Sequence, residues 1–205
     1  MSFVITIARQ YGSGGREVGE KLAQSLGIEF YDKKIVEMAC EKENIHIDIA
    51  DKEEEKATNS LLYTIVTDGI RGIRDMGTIH MPLNDRLFVA ESEVIKEVAQ
   101  KDCVIVGRAA DYVLSDTDTK VFSVFVYASL PDRIQRIMRL YGLTEKQAKD
   151  KIASVEKTRK NFYNYYTDRR WGEMTNYDLC VNTSFGGVDK AVEMLKNYIS
   201  KELDR

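Results

Sequence analysis

The chain switches repeatedly between two hydrophobic periods. Phe3-Val4-Ile5-Thr6-Ile7-Ala8 is β-branched and almost continuously apolar, as a strand buried on both faces should be. The glycine-rich turn Tyr11-Gly12-Ser13-Gly14-Gly15-Arg16 follows. Val18, Leu22 and Leu26 then recur every four residues beside Ala23, which predicts a helix that Gly27 ends. Glu29-Phe30-Tyr31 suits a short strand, and residues 33–42 a helix with Ile35, Val36, Met38 and Ala39 on its apolar face. Residues 46–56 are charged, with DKEEEK at 51–56 reading as a solvated turn or the start of a surface helix. Helical spacing returns over 57–77, Met76-Gly77 to Pro82 breaks the chain, and 87–100 is helical again. Cys103 to Val106 and Val121 to Ala128 predict two more strands. Pro131 opens a helix, and Thr144 with Gln147 forms a capping box for a longer, basic one. Leu179-Cys180-Val181 reads as a last strand and Val188 to Ile199 as a last amphipathic helix.

This order predicts an α/β fold: a five-stranded parallel sheet with helices on both faces. The helical block at about 33–100 is long for a crossover and reads as an insertion on one edge of the sheet, within a single domain.

Composition changes little in this picture. A chain of 205 residues with 43% hydrophobic and 31% charged residues can bury a full core. Its 30 basic and 33 acidic residues leave a net charge of −3, which argues against a nucleic-acid wrapper. Cys40, Cys103 and Cys180 form no close-spaced pair, so a zinc or dithiol motif is not indicated and a reducing cytoplasm is the expected location. No apolar run approaches the ~20 residues of a membrane helix, so no membrane partner is expected. His46 and His80 are isolated and read as surface or turn residues.

A buried strand, then GSGG, then a helix is the architecture of a phosphate cradle. Glycines let several N–H groups face one anion, and the helix start adds its positive dipole end. The alternative is a tight strand–helix connection without a ligand. Against the pattern GxxxxGK[ST], with Gly14 as the second glycine, Arg9 falls on the first glycine and Gly15 on the lysine. Arg16 and Arg9 are the nearby cations and Ser13 the nearby hydroxyl.

The run ITIARQYGSGGREVGEKLAQSLG resembles the start of the cytidylate kinase-like family of P-loop nucleoside monophosphate kinases. FYDKKIV, CVIVGRAADYVL, VFVYASLPDRIQRI, KTRKNFYNYY and NYDLCVNTS agree with it in order, so the resemblance covers nearly the whole chain. It implies a three-layer αβα P-loop NTPase-like fold: a core of 1–32 and 101–205, a helical monophosphate-binding insertion at about 33–100 and a lid at about 155–172. It further implies that Gly12, Ser13, Gly14, Gly15 and Arg16 cradle ATP phosphates, with Mg²⁺ bridging them. Arg108 would hold the acceptor monophosphate, with Tyr31, Asp32 and Asp111 near it. Ala109 stands where the better-known cytidylate kinases carry an Asp.

Arg133, Arg136 and Arg139 recur every three residues, followed by Lys157, Arg159, Lys160, Arg169 and Arg170 among aromatics. Phosphoryl transfer uses such cations to position and neutralise the moving group. By resemblance Arg16, Arg133, Lys157 and Arg159 are the catalytic candidates, the last three on the lid. A solvated basic face is the plain alternative, and a single-stranded nucleic-acid surface a weaker one. Trp171 reads as an anchor for 161–177. The function expected is ATP-dependent phosphorylation of a nucleoside monophosphate of the CMP or dCMP kind. The alternative is a nucleotide- or phosphate-binding protein of the same fold with weak or no kinase activity, because the loop lysine is absent.

Overall fold

The first apolar run becomes β1 (Phe3–Arg9), the middle strand of a parallel sheet with the order β2-β3-β1-β4-β5. A computed structural model describes residues 2–45 and 82–203. The other strands are β2 (Glu29–Tyr31), β3 (Cys103–Val106), β4 (Lys120–Tyr127) and β5 (Leu179–Asn182). The helices among the described residues are α1 (Gly15–Leu26), α2 (Lys34–Glu43), α3 (Leu83–Val98), α4 (Ala110–Val113), α5 (Leu130–Tyr141), α6 (Glu145–Thr167) and α7 (Gly187–Leu203).

The near-continuous apolarity of β1 has a direct cause in packing. Phe3, Ile5 and Ile7 face a cluster formed with Val18 and Leu22 of α1 and Leu195 and Ile199 of α7. Val4 faces the opposite cluster, with Ile35 and Ala39 of α2 and Val94 and Ile95 of α3. Both faces are therefore covered, and the three layers are helix, sheet, helix. Burying each Ile or Leu here contributes roughly 1.5–3 kcal/mol.

Of the 33–100 block, the described helices are α2 and α3. α2 and α3 form a layer over the sheet itself, because Val94, Ile95, Val98 and Ala99 present one apolar stripe to Cys103 and Ile105. The charged run at 51–56, the helical pattern at 57–77, and His46 and His80 lie outside the described residues.

α5 and α6 pack on each other through Ile134, Ile137, Ala148 and Ile152. Their boundaries are written locally. The Ser129 hydroxyl accepts from the Asp132 amide, Pro131 sits in the first turn, and Gly142 ends α5 at φ 65°. Both halves of the Thr144–Gln147 capping box form at the start of α6. The segment at 155–172 begins inside this one long helix. Trp171 packs its ring edge-on against Phe125 at 5.6 Å. None of the three cysteines forms a disulfide, and Cys40 and Cys103 are buried. No helix among the described residues is long and apolar enough to cross a membrane.

Candidate phosphate-binding site

Parallel pairing sends every strand's carboxyl end to the same edge of the sheet. Arg9, Tyr31-Asp32, Gly107-Arg108, Ala128 and Thr183 therefore gather there. β1 is flanked by β3 on one side and β4 on the other, and ligands of open α/β sheets bind where the strand order diverges in this way.

The glycine turn occupies that place. Gly12 and Gly14 hold φ of 83° and 81°, the left-handed region that favours glycine. The turn's frame is tied down from outside. The Gln10 amide donates to the Val126 carbonyl at 2.9 Å, and the Gln10 side chain accepts from the Ala128 amide at 3.2 Å. The Ser13 hydroxyl donates to the Gln10 carbonyl at 2.9 Å and accepts from the Gly15 amide at 3.3 Å. Thr183 Oγ1 donates to the Ser13 carbonyl at 2.6 Å, linking the end of β5 to the turn. The amides of Gly12 and Gly14 have no acceptor among the described residues. They stand at the start of α1, whose dipole favours an anion.

Four arginines meet beside the turn. Asp32 accepts from Arg9 Nη2 at 3.3 Å and from Arg16 Nε at 2.8 Å. Arg16 is exposed and also reaches Glu20 at 3.1 Å. Arg159 Nη1 donates to the Arg9 carbonyl at 2.9 Å, with its guanidinium over the Tyr11 ring. Arg108 Nη1 lies 3.3 Å from the buried Glu91 carboxylate, with its guanidinium over the Phe162 ring. Burial, then the nearby charge of Arg159, Arg108 and Arg16, brings Arg9 down to about 9, against the opposing pull of Asp32. Burial also lowers Arg159. Gathering cations against their own repulsion in this way favours an anionic ligand.

Gly107, Arg108 and Ala109 follow β3 with φ of 84°, 56° and 51°. Two successive non-glycine residues in the left-handed region cost about 1–2 kcal/mol each. That strained turn aims Arg108 at the sheet edge. Three residues after Arg108, the Asp111 carboxylate accepts from the Tyr163 hydroxyl of α6 at 2.7 Å. Burial raises Asp111's pKa, and the Tyr163 bond partly offsets this. Tyr31 lies at the end of β2 with the Lys34 ammonium over its ring.

On the other side of the turn lies a cleft of about 400 Å³ lined by Gly12, Ser13, Arg136, Arg139, Ser184 and Gly187. Arg136 pairs with Glu17 across Gly14. The Lys21 bond, then the Arg136 bond, holds the Glu17 carboxyl below its usual range.

The structure thus brings Gly12 to Arg16, Asp32, Arg108 and Arg159 together, with Tyr31 and Asp111 at the margin. Lys157 is exposed on α6. Arg133 departs from the expectation of an open lid cation. It is 7% exposed, pairs with Glu156 and donates to the Tyr11 carbonyl at 3.4 Å, because the first turn of α5 packs against the back of the glycine turn. Sequence reasoning named Arg9 as a cation near the loop but did not place Glu91, Arg136 or Thr183 in the site. Arg9 had a signal, its position on the first glycine of the loop pattern; Thr183 had none beyond the end of a strand.

These features suit a polyphosphate: amides at a helix start, a half-buried arginine and few opposing carboxylates. For Mg²⁺ the fit is with the phosphates. The Ser13 hydroxyl is turned inward, and among the described residues no three His, Cys, Asp or Glu side chains converge on one point. Mg²⁺ bound through phosphates and water needs only one or two protein carboxylates.

Residues 4–185 match the sequence profile of the cytidylate kinase-like family. A cytidylate kinase from Thermococcus kodakarensis is 32% identical over 105 residues, 49% of this chain and 52% of its own. The chain thus matches about half the length of that curated relative. The crystal structure of an uncharacterized protein from Eubacterium ventriosum superposes with a TM-score of 0.70 at 25% identity, covering 97% of this chain and 99% of the other. A shikimate kinase from Bacteroides thetaiotaomicron shares the fold, with a TM-score of 0.55 at 14% identity over 97% and 98% of the two chains. With the profile spanning most of its length, from the first strand to the turn after the last, the chain belongs to the cytidylate kinase-like family.

Proposed function

We propose that the protein transfers the γ-phosphoryl group of ATP to a nucleoside monophosphate, CMP or dCMP in the first place. The observation that carries this reading is the group of arginines between the glycine turn and the Arg108 turn, at the carboxyl edge of the sheet. The family and the name of the cytidylate kinase relative support it.

In this reading the Gly12 to Arg16 backbone holds the donor phosphates, and the 400 Å³ cleft beside Arg136 takes the donor nucleoside. Arg108 holds the acceptor phosphate from the opposite side, with Tyr31, Asp32 and Asp111 shaping that end. Arg159 and Lys157, both on α6, extend the positive charge over the transfer path. An acceptor phosphate oxygen forms the new bond to the γ-phosphorus while the bond to the β–γ bridging oxygen breaks and ADP leaves. No general base is needed, because the attacking oxygen is already anionic. Mg²⁺ arriving with ATP would supply charge neutralisation to the phosphates that the Gly12 to Arg16 backbone holds. The reaction suits a reducing cytoplasm, where the three thiols stay reduced.

The test is a panel of nucleoside monophosphates with ATP and Mg²⁺, followed by chromatography of the products. CDP or dCDP as the major product is expected. ATP binding by calorimetry without a diphosphate product from any acceptor would replace this reading with that of a nucleotide-binding protein.

A further inference from the structure

The glycine turn departs from the GxxxxGK[ST] pattern at three positions, 9, 15 and 16, and the departures at 9 and 15 fit together in space. Arg9 stands at the first glycine and Gly15 at the lysine. A Cβ added at Gly15 would lie 2.5 Å from Arg9 Cβ and 3.1 Å from its Cγ. The stem of Arg9 therefore fills the volume that a side chain at position 15 would need. Its guanidinium then crosses to Gly107, where an added Cβ would lie 2.1 Å from Nη1. One end reaches Asp32 at 3.3 Å, while the buried Nε has no hydrogen-bond acceptor among the described residues. Arg16 is no substitute. Its side chain is 59% exposed, and its Nε and Nη1 are taken by Asp32 and Glu20.

We propose that Arg9 is the cation that reaches the transferring phosphoryl group, acting from the end of β1 where the standard loop uses a lysine from the helix start. Glycine at 15 is then a requirement of Arg9, and glycine at 107 leaves room for its guanidinium. The site sits between the amides of Gly12 and Gly14 and the Arg108 turn, so one planar guanidinium can address the donor and the acceptor side together. Its lowered pKa leaves it charged at neutral pH, and a phosphate beside it would restore the ordinary value.

This inference rests on the kinase reading, and the experiment separates the two. Three variants are made: Arg9→Met, which keeps the stem and removes the charge; Arg9→Gly; and Arg9→Gly combined with Gly15→Lys, which restores the first glycine and the lysine of the standard loop. Each is checked for folding by circular dichroism. Calorimetry measures binding of inorganic tripolyphosphate, and kinetics are run with ATP, Mg²⁺ and the best acceptor of the panel. Arg9→Met is expected to bind tripolyphosphate at least about tenfold more weakly. It should also lose about 100-fold in kcat, with the acceptor KM changed only a few-fold. The double variant should recover binding over Arg9→Gly. Tripolyphosphate binding by Arg9→Met at the wild-type level overturns the proposal, as does a folded double variant no better than Arg9→Gly. A wild-type protein that binds no tripolyphosphate overturns it too. Arg9-dependent tripolyphosphate binding without turnover of any acceptor upholds the Arg9 site and removes the kinase reading instead.

Discussion

Replacing Arg133 by Met separates a buried structural cation from a phosphate-binding one. The Arg133 side chain is 8% exposed and its partner Glu156 is 23% exposed. Met preserves most of the stem's volume and removes the charge, leaving Glu156 and the Tyr11 carbonyl without the Arg133 Nη1 from which both accept. Removing one partner of a buried ion pair costs about 3–5 kcal/mol. Glu156 keeps some contact with water, so about 2–3 kcal/mol is expected here. For a chain of this size that lowers Tm by about 5–10 °C. Urea denaturation followed by circular dichroism measures the loss, and Arg133→Met/Glu156→Gln should restore at least about 1 kcal/mol of it. Unchanged stability of Arg133→Met, with a collapse in kcat alone, would refute this reasoning and return Arg133 to the lid role that its spacing in the sequence suggests.

Three further outcomes follow from the site. Arg108→Ala should raise the acceptor KM about tenfold or more while calorimetric ATP affinity stays within a few-fold; equal loss of both would remove Arg108 from the acceptor end. Burial raises the Asp111 carboxyl, so the folded state keeps a proton that the unfolded chain loses above about pH 3.9. Its contribution to stability therefore falls as pH rises from there through the folded pKa, then levels. Asp111→Asn, which still accepts from Tyr163, should lack that fall in urea titrations between pH 3.5 and 6; a wild-type stability that rises relative to the variant over this range would contradict it. The Cys103 thiol is fully buried and pushed up to about 12 by that burial, so a thiol reagent should label Cys180 in the native protein and reach Cys103 only on unfolding. Peptide mapping of the labelled sites checks this.

Much of the framework was legible before any coordinates. β1, the glycine turn, α1 and its Gly27 end lie within one short stretch whose pattern states its own geometry. The same holds for Pro131 at the start of α5 and for the Thr144 cap of α6, because such signals lie within a few residues of one another. Less was legible at the start of the 33–100 block. The periodicity there showed helices and an apolar face but not what the face covers, and the sheet turned out to be what it covers.

The sequence by itself determined a parallel α/β sheet, a glycine turn at the end of its first strand, and a stock of arginines. Those features depend on local propensity and on hydrophobic period. Which arginine does what was decided only in three dimensions. Arg133 and Arg136 stand three residues apart on α5, yet one is buried against Glu156 and the other reaches over Gly14 to Glu17. Arg9 meets Asp32, Arg108 and Arg159 only because parallel pairing and the packing of α6 bring distant segments to one edge. A charge's role follows from its burial and its partners, and here both are set by residues far away along the chain.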